Sequence, residues 1–206
     1  MFESIKITDE VAAEHDRIFQ EARATTEGQI PLHGQSEMPV PGWLLAGKLK
    51  HAIALLERVL QINPENWSAM WFIGKIHQRF RNKTEALSWF ERSYQVNPSQ
   101  PDVAREASLC AMEIGRHDTA IAFAHRAVQI EPTNPGLHAN LALAYLLAGR
   151  IPDAQTAVER ALAGASSDTI SQTIRTMIQH FATNGHVPPT TTPALLNYWR
   201  KCRKTI

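Results

Sequence analysis

Two stretches near the ends of the chain show the plainest alternation of apolar and polar faces. Over residues 8–26, Val11, His15, Ile18, Phe19 and Ala22 recur at three- and four-residue spacing, and Glu10, Glu14, Asp16 and Glu21 fall on the other side. That pattern predicts an amphipathic helix with one buried and one solvated face. Thr8 or Asp9 suits its N-cap. Over 168–184 the apolar stripe is Ile170, Ile174, Met177, Ile178 and Phe181, with Asp168 as cap and Gly185 as a left-handed stop. The run His186–Pro193 breaks the chain, and Leu195, Leu196, Trp199 and Cys202 then share one face of a short last helix.

Between these ends the helices come in pairs, over 67–80 and 84–96, 101–114 and 118–130, 135–148 and 152–163. Pro101 and Pro135 open their helices at the first position, where no amide donor is required. Asp118 and Asp153 place negative charge at helix starts, as the helix dipole favours. Residues 28–41 hold three prolines and two glycines and cannot form a continuous helix. A single helix over Trp43–Ile62 therefore lacks a preceding partner, and the helix at 8–26 is expected to substitute for it. Ile30, Leu32, Met38 and Val40 give the intervening loop enough apolar surface to lie on the helices.

The pairs share a strict period. Ile62-Asn63-Pro64, Val96-Asn97-Pro98 and Ile130-Glu131-Pro132 end successive units 34 residues apart. A period of that length marks a helix-turn-helix solenoid. With the proline as position 32, position 20 is Ala52, Ala86, Ala120 and Ala154. Position 8 is Val40, Gly74, Ser108 and Ala142, position 24 is Leu56, Phe90, Ala124 and Val158, and position 27 is Val59, Ser93, Ala127 and Ala161. Position 15, expected in the turn between helices, is Gly47, Arg81, Gly115 and Gly149. On these residues the chain resembles the tetratricopeptide repeat (TPR) family over 33–168, with imperfect first and last units. Ser166 replaces the proline in unit four, where the array is expected to end.

The resemblance implies an all-α, right-handed α-α superhelix with helical caps at both ends. It divides the chain into an N-terminal helix and loop (1–41), the array (42–168), and a capping helix with a basic tail (169–206). It also implies a concave groove lined by positions 2, 5, 6, 9, 12 and 13 of each first helix. Unit two would offer Ser68, Trp71, Phe72, Lys75, Gln78 and Arg79. Unit three would offer Asp102, Arg105, Glu106, Leu109, Met112 and Glu113, and unit four Gly136, Ala139, Asn140, Leu143, Leu146 and Leu147. Trp, Arg and Met are residue types favoured at binding hot spots. Some family members clamp the C-terminal carboxylate of chaperones with a lysine and asparagine set. Here Trp71, Lys75, Glu106, Gly136 and Asn140 stand at those places, and in the next register Leu109 breaks the set, so that use is rejected.

Composition removes other classes. Of 206 residues 44% are hydrophobic and 20% charged, and the net charge of +1 leaves no global footprint for nucleic acid. Two cysteines, Cys110 and Cys202, make neither a disulfide framework nor a metal spacing. No secretion signal or membrane-spanning run is read, so a cytoplasmic location is expected, in which the sequons at Asn66 and Asn82 would go unused. Gly42 to Lys48 fits seven places of a phosphate-binding loop, but Leu49 stands where a metal-holding Ser or Thr belongs and no strand precedes it. His15 and His77 lie on apolar faces and read as packed, and no paired histidine ligands or catalytic triad can be assembled.

The reading is a non-catalytic protein-interaction module or adaptor with no cofactor and no metal. Its partner is expected to be a peptide or helix with an apolar anchor, meeting Trp71 and Phe72, and an acidic group, meeting Lys75, Arg79 or Arg105. The competing readings are groove occlusion by the chain's own flanks, a recruitment domain serving an enzyme such as a transferase, and attachment to anionic lipid or nucleic acid through Arg200, Lys201, Arg203 and Lys204. Neither nucleic acid nor membrane is the expected partner.

Overall fold

A computed structural model describes residues 9–30 and 42–202. The described residues form ten α-helices and no strand. The chain divides into two compact units, Met1–Val96 and Asn97–Ile206. The apolar spacings translate closely into helix bounds in both.

In the first unit α1 (Asp9–Thr26), α2 (Trp43–Ile62), α3 (Trp67–Arg79) and α4 (Lys83–Val96) pack in sequence. α1 lies against α2 and supplies the partner that the repeat pattern omits. Ile18 and Ala22 of α1 join Leu49, Ala52, Leu56 and Val59 of α2 and Ile73 and Ile76 of α3 in one buried cluster. Pro31 to Pro41, Val40 among them, lie outside the described residues, as do Thr8 and the tail residues Arg203 and Lys204.

Gly47 departs from the expectation for position 15. It lies inside α2 rather than in a turn. α2 begins at Trp43 and runs through the place where other units bend. Gly115 and Gly149 do take left-handed conformations, with φ of 74° and 72°. Arg81 adopts the same region at φ 62°, the one described non-glycine residue to do so, in a region L-residues disfavour. The segment from Gly42 to Lys48 is the start of α2, and Leu49 is fully buried. A helix start followed by a core leucine offers no strand-to-helix turn for a phosphate.

The second unit holds α5 (Pro101–Glu113), α6 (His117–Ile130), α7 (Pro135–Leu147), α8 (Ile151–Gly164), α9 (Thr169–Asn184) and α10 (Thr192–Cys202). α5 pairs with α6 and α7 with α8, α7 also packs on α5 and α9, and α8 packs on α9. Small residues permit the close crossings. Ala120 and Ala154 are wholly buried, and the Ser108 hydroxyl donates to the Ala120 carbonyl at 2.8 Å. That bond satisfies a hydroxyl that burial would otherwise leave costly. Asp168 caps α9 by accepting from the amides of Ile170 and Ser171, and Gly185 ends it at φ 64°.

Candidate functional site

The residues expected to line a groove lie on the first helix of each pair. In the first unit that helix is α3. Trp71 and Phe72 are half-buried and meet edge to face at 5.0 Å. Phe72 also meets Phe19 of α1 at 5.9 Å, and the Arg23 guanidinium stands 5.8 Å from its ring. The Lys75 ammonium lies 5.8 Å from the Trp71 ring, and Lys75 is only 4% exposed. Arg79 is buried and donates through Nε to the Gln29 carbonyl at 3.1 Å. Gln78 is half-buried. The Trp71 indole N–H is buried and has no hydrogen-bond partner among the described residues. Phe19 and Arg23 were absent from the sequence-based site, because the repeat register does not extend as far back as α1.

In the second unit Arg105 is shared between two carboxylates, Asp102 at 3.4 Å and Glu106 at 3.0 Å. Its side chain is 18% exposed and that of Glu106 6%. The arginine is thus an ion-pair partner within its own helix. Leu109, Asn140 and Leu143 are half-buried, whereas Met112 and Leu147 are buried. Asn140 has no side-chain hydrogen bond among the described residues. Leu109 and Leu143 occupy position 9 of α5 and α7, which pack side by side, and Asn140 is three residues before Leu143 on the same face.

The register also continues one unit further than the proline count suggests. Thr169 takes position 1 of α9, so His180 and Phe181 take positions 12 and 13. Counting 34 residues on from Leu146 and Leu147 would have found them; the missing proline at Ser166 concealed the continuation. His180 receives company from α10: its Nε2 lies 3.0 Å from the Tyr198 hydroxyl, and Phe181 lies 5.3 Å from the Tyr198 ring. Desolvation and a hydrogen bond with Cys202 push the Tyr198 phenol above its usual range.

Among the described residues no group of three or more His, Cys, Asp or Glu is placed to hold a metal ion. Cys110 is buried and Cys202 half-buried, and neither forms a disulfide among the described residues. No helix among the described residues is long and apolar enough to cross a membrane. Within the basic tail, Arg200 donates to Asn197 and Trp199 packs edge-on against His180.

Two family models, both described as tetratricopeptide repeat, match residues 46–101 and 111–178. The chain belongs to the tetratricopeptide repeat family, and its fold is the all-α solenoid of that family. Among solved structures, a crystal structure of MamA protein is similar over 94% of this chain and 91% of its own, at 14% identity and a TM-score of 0.67. YrrB, described as a TPR protein with an unusual peptide-binding site, is similar over 81% of this chain and 84% of its own, at 14% identity and a TM-score of 0.61. A mutant O-GlcNAc transferase from Thermobaculum terrenum is similar over 76% of this chain but only 27% of its own, at 17% identity and a TM-score of 0.57. At these identities the likeness is one of fold. No curated protein matches the sequence.

Proposed function

We propose that the chain is a non-catalytic protein-interaction module that takes a peptide on the first-helix faces. The observation that supports this most directly is the group of Leu109, Asn140 and Leu143 on adjoining helices. Two half-buried leucines offer an apolar seat, and an asparagine amide without a partner can both donate to and accept from a peptide backbone. In the first unit Trp71 and Phe72 offer a second, aromatic seat. YrrB, a fold neighbour, is described as binding a peptide, which agrees with this use of the fold.

The partner is an apolar peptide segment first, with an acidic group as a secondary feature. Lys75 and Arg79 are buried, and both already have partners. Arg105 is balanced by Asp102 and Glu106. A partner carboxylate gains at Arg105 chiefly by displacing Asp102, which is a modest exchange between similar groups. Apolar burial is therefore the larger share of the binding energy.

A displayed peptide library selected on the purified chain tests the reading. Selected peptides should bind Leu109→Ala, Asn140→Ala and Leu143→Ala variants about tenfold or more weakly, a loss of about 1.4 kcal/mol each. Peptides that bind all three variants as tightly as the native chain would move the working surface elsewhere.

A further inference from the structure

The last helix lies where a ligand would. α10 packs on α5. Just before it, the Thr190 carbonyl is 2.7 Å from His117 Nε2 at the start of α6, and Thr191 lies beside Gly115 at the end of α5. At its other end Tyr198 and Trp199 meet His180, and Tyr198 meets Phe181, near the end of α9. Between α5 and α9 stands α7, which packs on both. Neighbouring helix axes lie about 8–10 Å apart, so the span from α5 to α9 is about 16–20 Å. An 11-residue helix is about 16 Å long. α10 thus runs from the C-terminal end of α5 to that of α9, with the end of α7 in the same row of the register. Those ends carry positions 12 and 13, and Met112, Leu146, Leu147 and Phe181 in that row are all at most 2% exposed.

The helix also has the form of a groove ligand. Leu195, Tyr198, Trp199 and Cys202 are spaced at i, i+3, i+4 and i+7, the anchor pattern of an amphipathic helix in a groove. Its opposite face, with Leu196, Asn197, Arg200 and Lys201, is exposed. Its hold is light: Leu195 is the one residue of α10 that is fully buried. A helix this short is marginal without its tertiary contacts. The connection behind it, 185–189, has no regular secondary structure.

We propose that the row of positions 12 and 13 on α5, α7 and α9 is a docking site for an amphipathic helix. α10 fills it in cis, and a partner helix carrying a leucine followed at three and four residues by aromatic side chains displaces α10. The inference goes beyond the reading of Leu109, Asn140 and Leu143 and stands on different positions of the same helices.

The probe is a fluorescent peptide of residues 188–202, added to the full chain and to a full-length Leu195→Glu, Tyr198→Ser variant in which α10 cannot seat. The peptide should bind the variant at least about tenfold more tightly than the native chain. Equal or absent binding to a variant that keeps its helical signal and cooperative melting overturns the proposal. Native-state hydrogen exchange on the unaltered chain decides independently if the variant fails to fold. Amides of α10 should exchange about tenfold or more faster than those around Phe181, by local opening. Exchange of α10 only at the rate of global unfolding would make it an integral part of the core and overturn the proposal. Either failure leaves the alanine variants at positions 6 and 9 to be judged on their own.

Discussion

Gly74→Ala is the sharpest test of the packing. A Cβ on Gly74 would stand 2.6 Å from Phe90 Cε1, 2.9 Å from Cδ1 and 3.0 Å from Cζ. Carbon atoms in comfortable contact are about 3.5–4.0 Å apart, so the ring would have to retreat by about 1 Å. Phe90 is wholly buried and has no open space to enter. Overpacking of this kind costs about 1–3 kcal/mol. Against it, alanine in a helix interior recovers about 0.8–1.0 kcal/mol relative to glycine. The net expectation is a loss of about 0–2 kcal/mol, which lowers the melting temperature by up to about 8 °C in a chain of this size. Urea and thermal denaturation followed by circular dichroism measure the loss. Repeating the substitution in a Phe90→Leu background isolates the clash: there Gly74→Ala should become stabilising, with a coupling of at least about 1 kcal/mol between the two sites. A Gly74→Ala chain more stable than the native one, or a coupling near zero, would refute the account. The other pairs show why the clash is local. Position 8 carries a side chain in Ser108 and Ala142, and the position-24 residues there, Ala124 and Val158, are smaller than Phe90.

Two further predictions concern pH and capping. Asp168→Ala should cost about 0.5–2 kcal/mol by uncapping α9. Because hydrogen bonds from the Ser171 hydroxyl and amide, and from Ile170, hold the Asp168 carboxyl below its ordinary value of 3.8, this contribution is present above that pH and lost as pH falls through the lower folded value; the native and alanine chains should converge in acid denaturation curves. Burial holds the His77 imidazole below its ordinary value of 6.5, against the opposing charges of Glu85 and Glu57. The unfolded chain then takes up a proton that the folded one resists, so stability is full above about pH 6.5 and declines as pH falls through the folded value. His77→Leu should flatten that part of the stability–pH curve, and an unchanged slope would show that His77 does not titrate on unfolding.

The repeat period and the caps account for how much was legible in advance. Helix bounds read from spacing agree with the structure within a residue or so: 43–62 for α2 and 135–148 for α7 became Trp43–Ile62 and Pro135–Leu147. Prolines at 101 and 135, Asp168 and Gly185 mark helix ends by their own backbone chemistry, which acts over a few residues and needs no tertiary context. The small residues at positions 8 and 20 likewise declared close crossings. Gly47 takes no turn role, because α2 runs through it from Trp43.

The candidate site was legible as a set of positions but not as a surface. Periodicity assigns residues to a helix face, and burial of that face depends on segments far away in the chain. Arg79 turned out to serve the carbonyl of Gln29, fifty residues earlier, and Phe72 to meet Phe19. Side-chain geometry joins Arg105 to Asp102 and Glu106. The sequence by itself determined the family, the helix pairs and their inward faces, because these follow from local propensity and a 34-residue register. The spacing already pointed to α1 as the partner of α2, but only the tertiary structure brought Phe19 to Phe72 and set α10 against α5 and α9. Both segments are amphipathic helices whose apolar stripes fit more than one partner face. The choice among those faces is made by the free energy of the whole packed chain, which no local pattern records.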